Sequence, residues 1–120
     1  MKNKQLYYAH PIDLYGTQQE KRDVELLGNV FTDYVIFNPN SDDCEDGYAL
    51  GGMEYFYNIV EQCDLVVFRG YPGGRIPAGV AGEVERATKH SIPVLELPTL
   101  VDRALSVEDT RRYIREIGTR

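Results

Sequence analysis

Short apolar runs alternate along this chain with longer segments whose apolar residues recur at helical spacing, and that alternation predicts its elements. Leu6-Tyr7-Tyr8-Ala9 reads as a strand ending at His10-Pro11. Thr17 is placed to cap a helix, Glu20 completes a capping box three residues on, and Val24, Leu27 and Phe31 form one apolar face. Tyr34-Val35-Ile36-Phe37 predicts a second strand, stopped by Asn38-Pro39-Asn40. The polar stretch that follows, with Ser41-Asp42-Asp43-Cys44-Glu45-Asp46-Gly47, predicts a solvated loop of about a dozen residues, long enough to be a candidate lid.

After Gly51-Gly52, a helix over about Met53 to Gln62 turns Phe56, Ile59 and Val60 inward. Leu65 to Phe68 predicts a buried strand, followed by a glycine-punctuated loop and a helix over about Gly79 to Lys89. Val94 to Leu97 gives a further strand, and Ser106 with Asp109 opens a last helix carrying Tyr113, Ile114 and Ile117. The order βαβαβαβα predicts a single α/β domain over residues 1–120. It would be a doubly wound, Rossmann/flavodoxin-like parallel sheet of about four to five strands, with helices on both faces.

Composition narrows the picture without changing it. A hydrophobic fraction of 42% fits a globular chain. No apolar run approaches the roughly 18 residues that span a bilayer, and the N-terminus shows no signal-peptide pattern, so a cytoplasmic protein without membrane contact is expected. Residues 1–60 hold ten acidic and four basic residues, whereas residues 61–120 hold nine of each. A basic face for duplex nucleic acid is therefore not expected; Arg111, Arg112, Arg115 and Arg120 fit the polar side of the last helix. Cys44 and Cys63, with His10 and His90, show no metal-ligand spacing, and no metal or cofactor is called for.

Chemistry is expected where the buried strand hands over to the glycine loop and its helix, because strand ends leave a crevice there and helix N-termini offer free N–H groups. Glu83 sits in the first or second turn of that helix, where the dipole would keep a carboxylate ionised. A plain helix-stabilising acid fits the same position. Arg69 ends the buried strand within reach of a phosphate or carboxylate, or as a surface arginine. His10, Pro11 and Asp13 lie at the mouth of the first strand. No G-x-G-x-x-G follows that strand, and neither a Walker lysine nor a Ser-His-Asp pattern is present.

These segments together resemble the nucleoside 2-deoxyribosyltransferase superfamily, which includes the 2′-deoxynucleoside 5′-monophosphate N-glycosidases. The resemblance rests on the tyrosine-bearing first strand, Cys63-Asp64-Leu65-Val66-Val67, and Gly79-Val80-Ala81-Gly82-Glu83-Val84-Glu85-Arg86-Ala87 followed by Ile92-Pro93-Val94. It covers most of the chain from Leu6 to about Leu97. Pro72-Gly73-Gly74 ahead of Gly79 to Glu83 is also similar, with extra residues interposed, to the phosphate loop of cytokinin-activating phosphoribohydrolases.

The resemblance implies cleavage of the N-glycosidic bond of a nucleoside or nucleoside 5′-monophosphate, by hydrolysis or deoxyribosyl transfer, with Glu83 as nucleophile and Tyr7 as its partner. It also implies sugar or phosphate contacts from His10, Pro11, Asp13, Gly74, Gly79 and Gly82, to which Arg69 or Arg75 would add a cation by their places beside the glycine loop. A homodimer is expected along the Met53–Gln62 helix, through Tyr55 or Tyr57. The family's aspartate in that helix is replaced here by Phe56, and Glu54 or Asn58 would have to substitute. That departure keeps open a catalytically silent nucleotide-binding protein, beside an NAD-cleaving relative resembling Toll/interleukin-receptor domains.

Overall fold

The computed structural model describes residues 4–98 together with Arg111 and Arg112. Four parallel strands, β1 (Lys4–Ala9), β2 (Tyr34–Phe37), β3 (Leu65–Phe68) and β4 (Val94–Glu96), form one sheet in the order β2-β1-β3-β4. Four helices connect them: α1 (Gln18–Val30), α2 (Asp42–Gly51), α3 (Met53–Val60) and α4 (Ala78–Lys89). The molecule is therefore the α/β, Rossmann/flavodoxin-like arrangement that the alternation predicts. None of the described helices is long and apolar enough to cross a membrane. The last helix predicted from Ser106 lies outside the described residues, except that Arg111 and Arg112 are helical.

Strand alternation divides the core in two, because successive side chains point to opposite faces. Tyr7, Ala9 and Val66 face Phe56, Val60, Val80 and Ala87 of α3 and α4. Leu6, Tyr8, Leu65 and Val67 face Leu27 of α1. Each such fully buried aliphatic or aromatic side chain contributes roughly 1.5–3 kcal/mol through the water it excludes. The sheet is thus wound on both faces. β1 and β3 lie side by side, with Tyr7 opposite Val66, and the connections leave them toward opposite flanks. The crevice beyond their carboxyl ends is the topological switch point.

The predicted loop after β2 is instead helix α2. Ser41 caps it, its hydroxyl accepting from the Cys44 amide at 3.3 Å. Cys44 is buried, and Tyr48 one turn later packs on Phe56 with ring centroids 5.8 Å apart. This two-residue apolar stripe is easily hidden among the acids around it. Gly52, with φ of 62°, ends α2 and starts α3, a backbone conformation that strains any residue with a Cβ.

α3 then packs between α2 and α4. Tyr55 lies against Gly47 of α2, and Tyr57 against Gly82 and the Arg86 guanidinium of α4. Tyr55 and Tyr57, expected at a dimer contact, thus each pack within the chain while staying only half-buried.

Candidate active site

A cavity of about 630 Å³ opens at the switch point. Each wall comes from a segment that the topology delivers there. His10, Pro11, Asp13 and Tyr15 follow β1; Pro39, Asn40 and Ser41 follow β2; Tyr71 follows β3. Cys44, Glu45 and Tyr48 of α2, with Met53 and Phe56 of α3, form the side that the loop prediction left open. Gly79, Val80 and Glu83 of α4 close it.

Glu83 lies in the second turn of α4 and is 5% exposed. Tyr7 on β1 donates its phenol to Glu83 Oε2, so the strand and helix that flank the crevice meet through this pair. Burial pushes the Glu83 carboxyl up to about 7, and the Tyr7 hydrogen bond pulls against that shift. The expectation of a carboxylate held fully ionised at the helix start is corrected: burial lifts it well above the ordinary carboxylate range. Burial, reinforced by the Glu83 charge, also holds the Tyr7 phenol far above its ordinary range, so Tyr7 acts as a donor. Tyr15 is raised to about 12, chiefly by burial.

The other predicted contacts divide clearly. His10, Pro11, Asp13 and Gly79 line the cavity, whereas Glu54, Asn58, Arg69, Gly74 and Gly82 do not. Glu54 turns outward to Arg86 at 3.1 Å, and Asn58 is exposed on α3. Phe56 therefore stands on the cavity wall, and neither Glu54 nor Asn58 joins it there.

Arg69 is 7% exposed and wholly engaged on the α1 side of the sheet. Its Nη2 and Nε donate to the two oxygens of Asp23, and Nη1 donates to the Pro98 carbonyl at 2.7 Å. It ties α1, β3 and the end of β4 together, away from the cavity lining.

Gly73 and Gly74 both have positive φ in the turn that returns Arg75 to Tyr71, whose amide donates to the Arg75 carbonyl at 2.7 Å. They shape that turn. Gly82 is small because the Tyr57 hydroxyl occupies the space beside it. At the α4 start, the Ala81 amide is already taken by the Pro77 carbonyl at 3.0 Å. Neither Arg69 nor Arg75 lines the cavity at that helix end, so the predicted anion site gains no cation.

No family model matches the chain, and neither does any curated protein. The case for chemistry therefore stands on the residues themselves.

Several of those residues escape sequence reasoning. Glu20 reads as a capping-box residue, and its amide does donate to the Thr17 hydroxyl, but its carboxylate goes elsewhere. It receives the Gly16 amide at 3.0 Å and the Asn40 side-chain amide at 3.0 Å, and lies 2.8 Å from His10 Nε2. Although burial pulls it up, these contacts hold Glu20 below the usual carboxylate range. Glu20 thus fixes the two loops, after β1 and β2, that form one cavity wall.

His10 is buried with Nδ1 3.1 Å from the Tyr8 carbonyl, and burial lowers its pKa. Tyr15, Asn40 and Tyr71 follow strand ends, and the rule that singles out His10 would have found them too. Among the described residues, no cluster of three or more His, Cys, Asp or Glu could hold a metal ion.

Proposed function

We propose that this protein cleaves the N-glycosidic bond of a nucleoside, with Glu83 as nucleophile. The observation that carries the reading is the buried Tyr7–Glu83 pair facing a cavity at the switch point. An oxocarbenium-like transition state places positive charge on the anomeric carbon, and a fixed carboxylate beside it stabilises that charge before bonding to it. Tyr7 holds one carboxylate oxygen and leaves Oε1 to attack. A carboxyl near 7 is half ionised at neutral pH, and a developing cation next to it draws it fully into the charged form. Water entering the 630 Å³ cavity resolves the glycosyl ester.

The resemblance to the nucleoside 2-deoxyribosyltransferase superfamily supports the same chemistry. A second reading, binding without turnover, draws on the apolar Phe56 wall. The NAD-cleaving reading fits less well, since among the described residues no Lys or Arg lines the cavity to meet a pyrophosphate. Incubation with ribo- and deoxyribonucleosides, read by chromatography for free base, tests the proposal. Base release that disappears in Glu83→Gln supports it; tight binding without release supports the second reading.

A further inference from the structure

The charge balance of the cavity is one-sided. Three carboxylates face it, Asp13 and Glu45 in exposed positions and Glu83 in a buried one, and among the described residues no Lys or Arg joins them. The described arginines near this end are committed elsewhere or stand off the lining: Arg69 to Asp23, Arg86 to Glu54 and Glu61, and Arg75 in its turn. A 5′-phosphate entering here would meet acids without a counter-charge. The walls are also aromatic, with Tyr15, Tyr48, Phe56 and Tyr71 around one space. Ring faces and carboxylates together favour a planar cation.

Proton supply points the same way. A neutral base leaves as an anion unless an acid protonates it. The phenols here are poor acids: Tyr15 stands at about 12, and the Tyr71 hydroxyl already donates to Asp13 at 3.0 Å. The His10 nitrogens are taken up by the Tyr8 carbonyl and Glu20. A base bonded to the sugar through a cationic nitrogen needs no acid.

We propose that the site takes a phosphate-free nucleoside whose base carries a fixed positive charge, of the pyridinium or N-alkylated purine class. The proposal rests on the N-glycosidic reading and names its substrate class. Glu83 Oε1 bonds to the anomeric carbon as the C–N bond breaks, and the electron pair neutralises the departing nitrogen. Water then attacks the anomeric carbon, the ester C–O bond breaks, Glu83 returns as carboxylate, and the water's proton goes to solvent.

The test measures calorimetric affinity on Glu83→Gln protein, so that turnover does not consume the probes. The probes are nicotinamide riboside, its neutral reduced dihydro form, and the 5′-monophosphate of the cationic riboside. The cation is expected to bind at least about tenfold tighter than either of the others. The preference should shrink when Asp13→Asn and Glu45→Gln are added, both exposed positions that leave the core intact. Equal affinity for the cationic and neutral forms, tighter binding of the monophosphate, or no binding of any probe overturns the proposal. Base release from nicotinamide riboside and inosine by the unmodified protein is read separately. Its absence sinks the glycosidic reading, while the affinity ratio still decides the charge preference.

Discussion

Glu83→Gln should make the folded protein more resistant to rising pH while removing its chemistry. The carboxyl moves from 4.5 to about 7 on folding, mainly because burial disfavours its charge. Between those values the folded state holds a proton that the unfolded chain has released, so stability falls as pH rises through this window. The shift corresponds to about 3 kcal/mol of stability, fully present below about pH 4.5 and lost by about pH 7. Glutamine has the same shape, its amide oxygen still accepts from Tyr7, and it does not ionise. The stability gap between variant and parent should therefore widen by about 3 kcal/mol from pH 4 to pH 8. Other groups, including the oppositely shifted Glu20, are common to both proteins and cancel in the difference.

Urea unfolding of both proteins at several pH values between 4 and 8 measures that gap directly. A gap independent of pH would show that Glu83 is neither desolvated nor raised, and the electrostatic account of the site would fail with it. A surface acid in a helix turn would instead give the opposite sign, with the glutamine variant weaker by roughly 0.3–1 kcal/mol near neutrality. Sign and slope together separate a strained functional carboxylate from a helix-stabilising one.

Tyr7→Phe removes the hydrogen bond that favours the charged form of Glu83, so the pH at which base release reaches half its maximum should rise by about one to two units; an unmoved profile would separate Tyr7 from the chemistry. In the unmodified protein, release should fall about tenfold per pH unit below roughly 7 as Glu83 takes up its proton, read from the pH dependence of kcat/KM for nicotinamide riboside. Arg69→Ala leaves Asp23 buried without its partner and should cost about 3–5 kcal/mol of stability, while titration with inorganic phosphate shows no affinity in either protein. Gly82→Ala drives a methyl group into the Tyr57 hydroxyl and should destabilise by about 1–3 kcal/mol, part of it recovered on adding Tyr57→Phe; thermal unfolding of both variants checks this.

How much of this was legible in the sequence depends on how each signal is encoded. β2 and β3 are continuous apolar runs between turn residues, and their bounds emerge residue for residue. Tyr7 and Glu83 come together because the sheet order places β1 beside β3 and α4 over it, a consequence of topology that motif order already carries. α2 was hidden because only Cys44 and Tyr48 mark its inner face among acids and a glycine. Arg69 is ambiguous for a different reason. Its position at a strand end is shared by ligand-binding and structural arginines, and only the distance to Asp23, forty-six residues earlier, separates them. Burial likewise raises the Glu83 carboxyl, where sequence alone makes only the helix dipole visible.

The two faces of the sheet show why Glu83 stands out among the buried acids. Tyr7 and Tyr8 are neighbours on β1, yet strand alternation sends each phenol to a different carboxylate. On the α1 face, Asp23 accepts from Tyr8, Gln19 and twice from Arg69, which offsets its desolvation with a full charge and a full set of donors. On the α4 face, Glu83 is about as buried, and among the described residues the Tyr7 phenol donates to it with no cation beside it. A fold that needs only a buried acid has the Asp23 solution available and uses it. Leaving Glu83 short of charge compensation, beside a cavity large enough for a nucleoside, holds a carboxylate whose missing counter-charge a cationic transition state can supply.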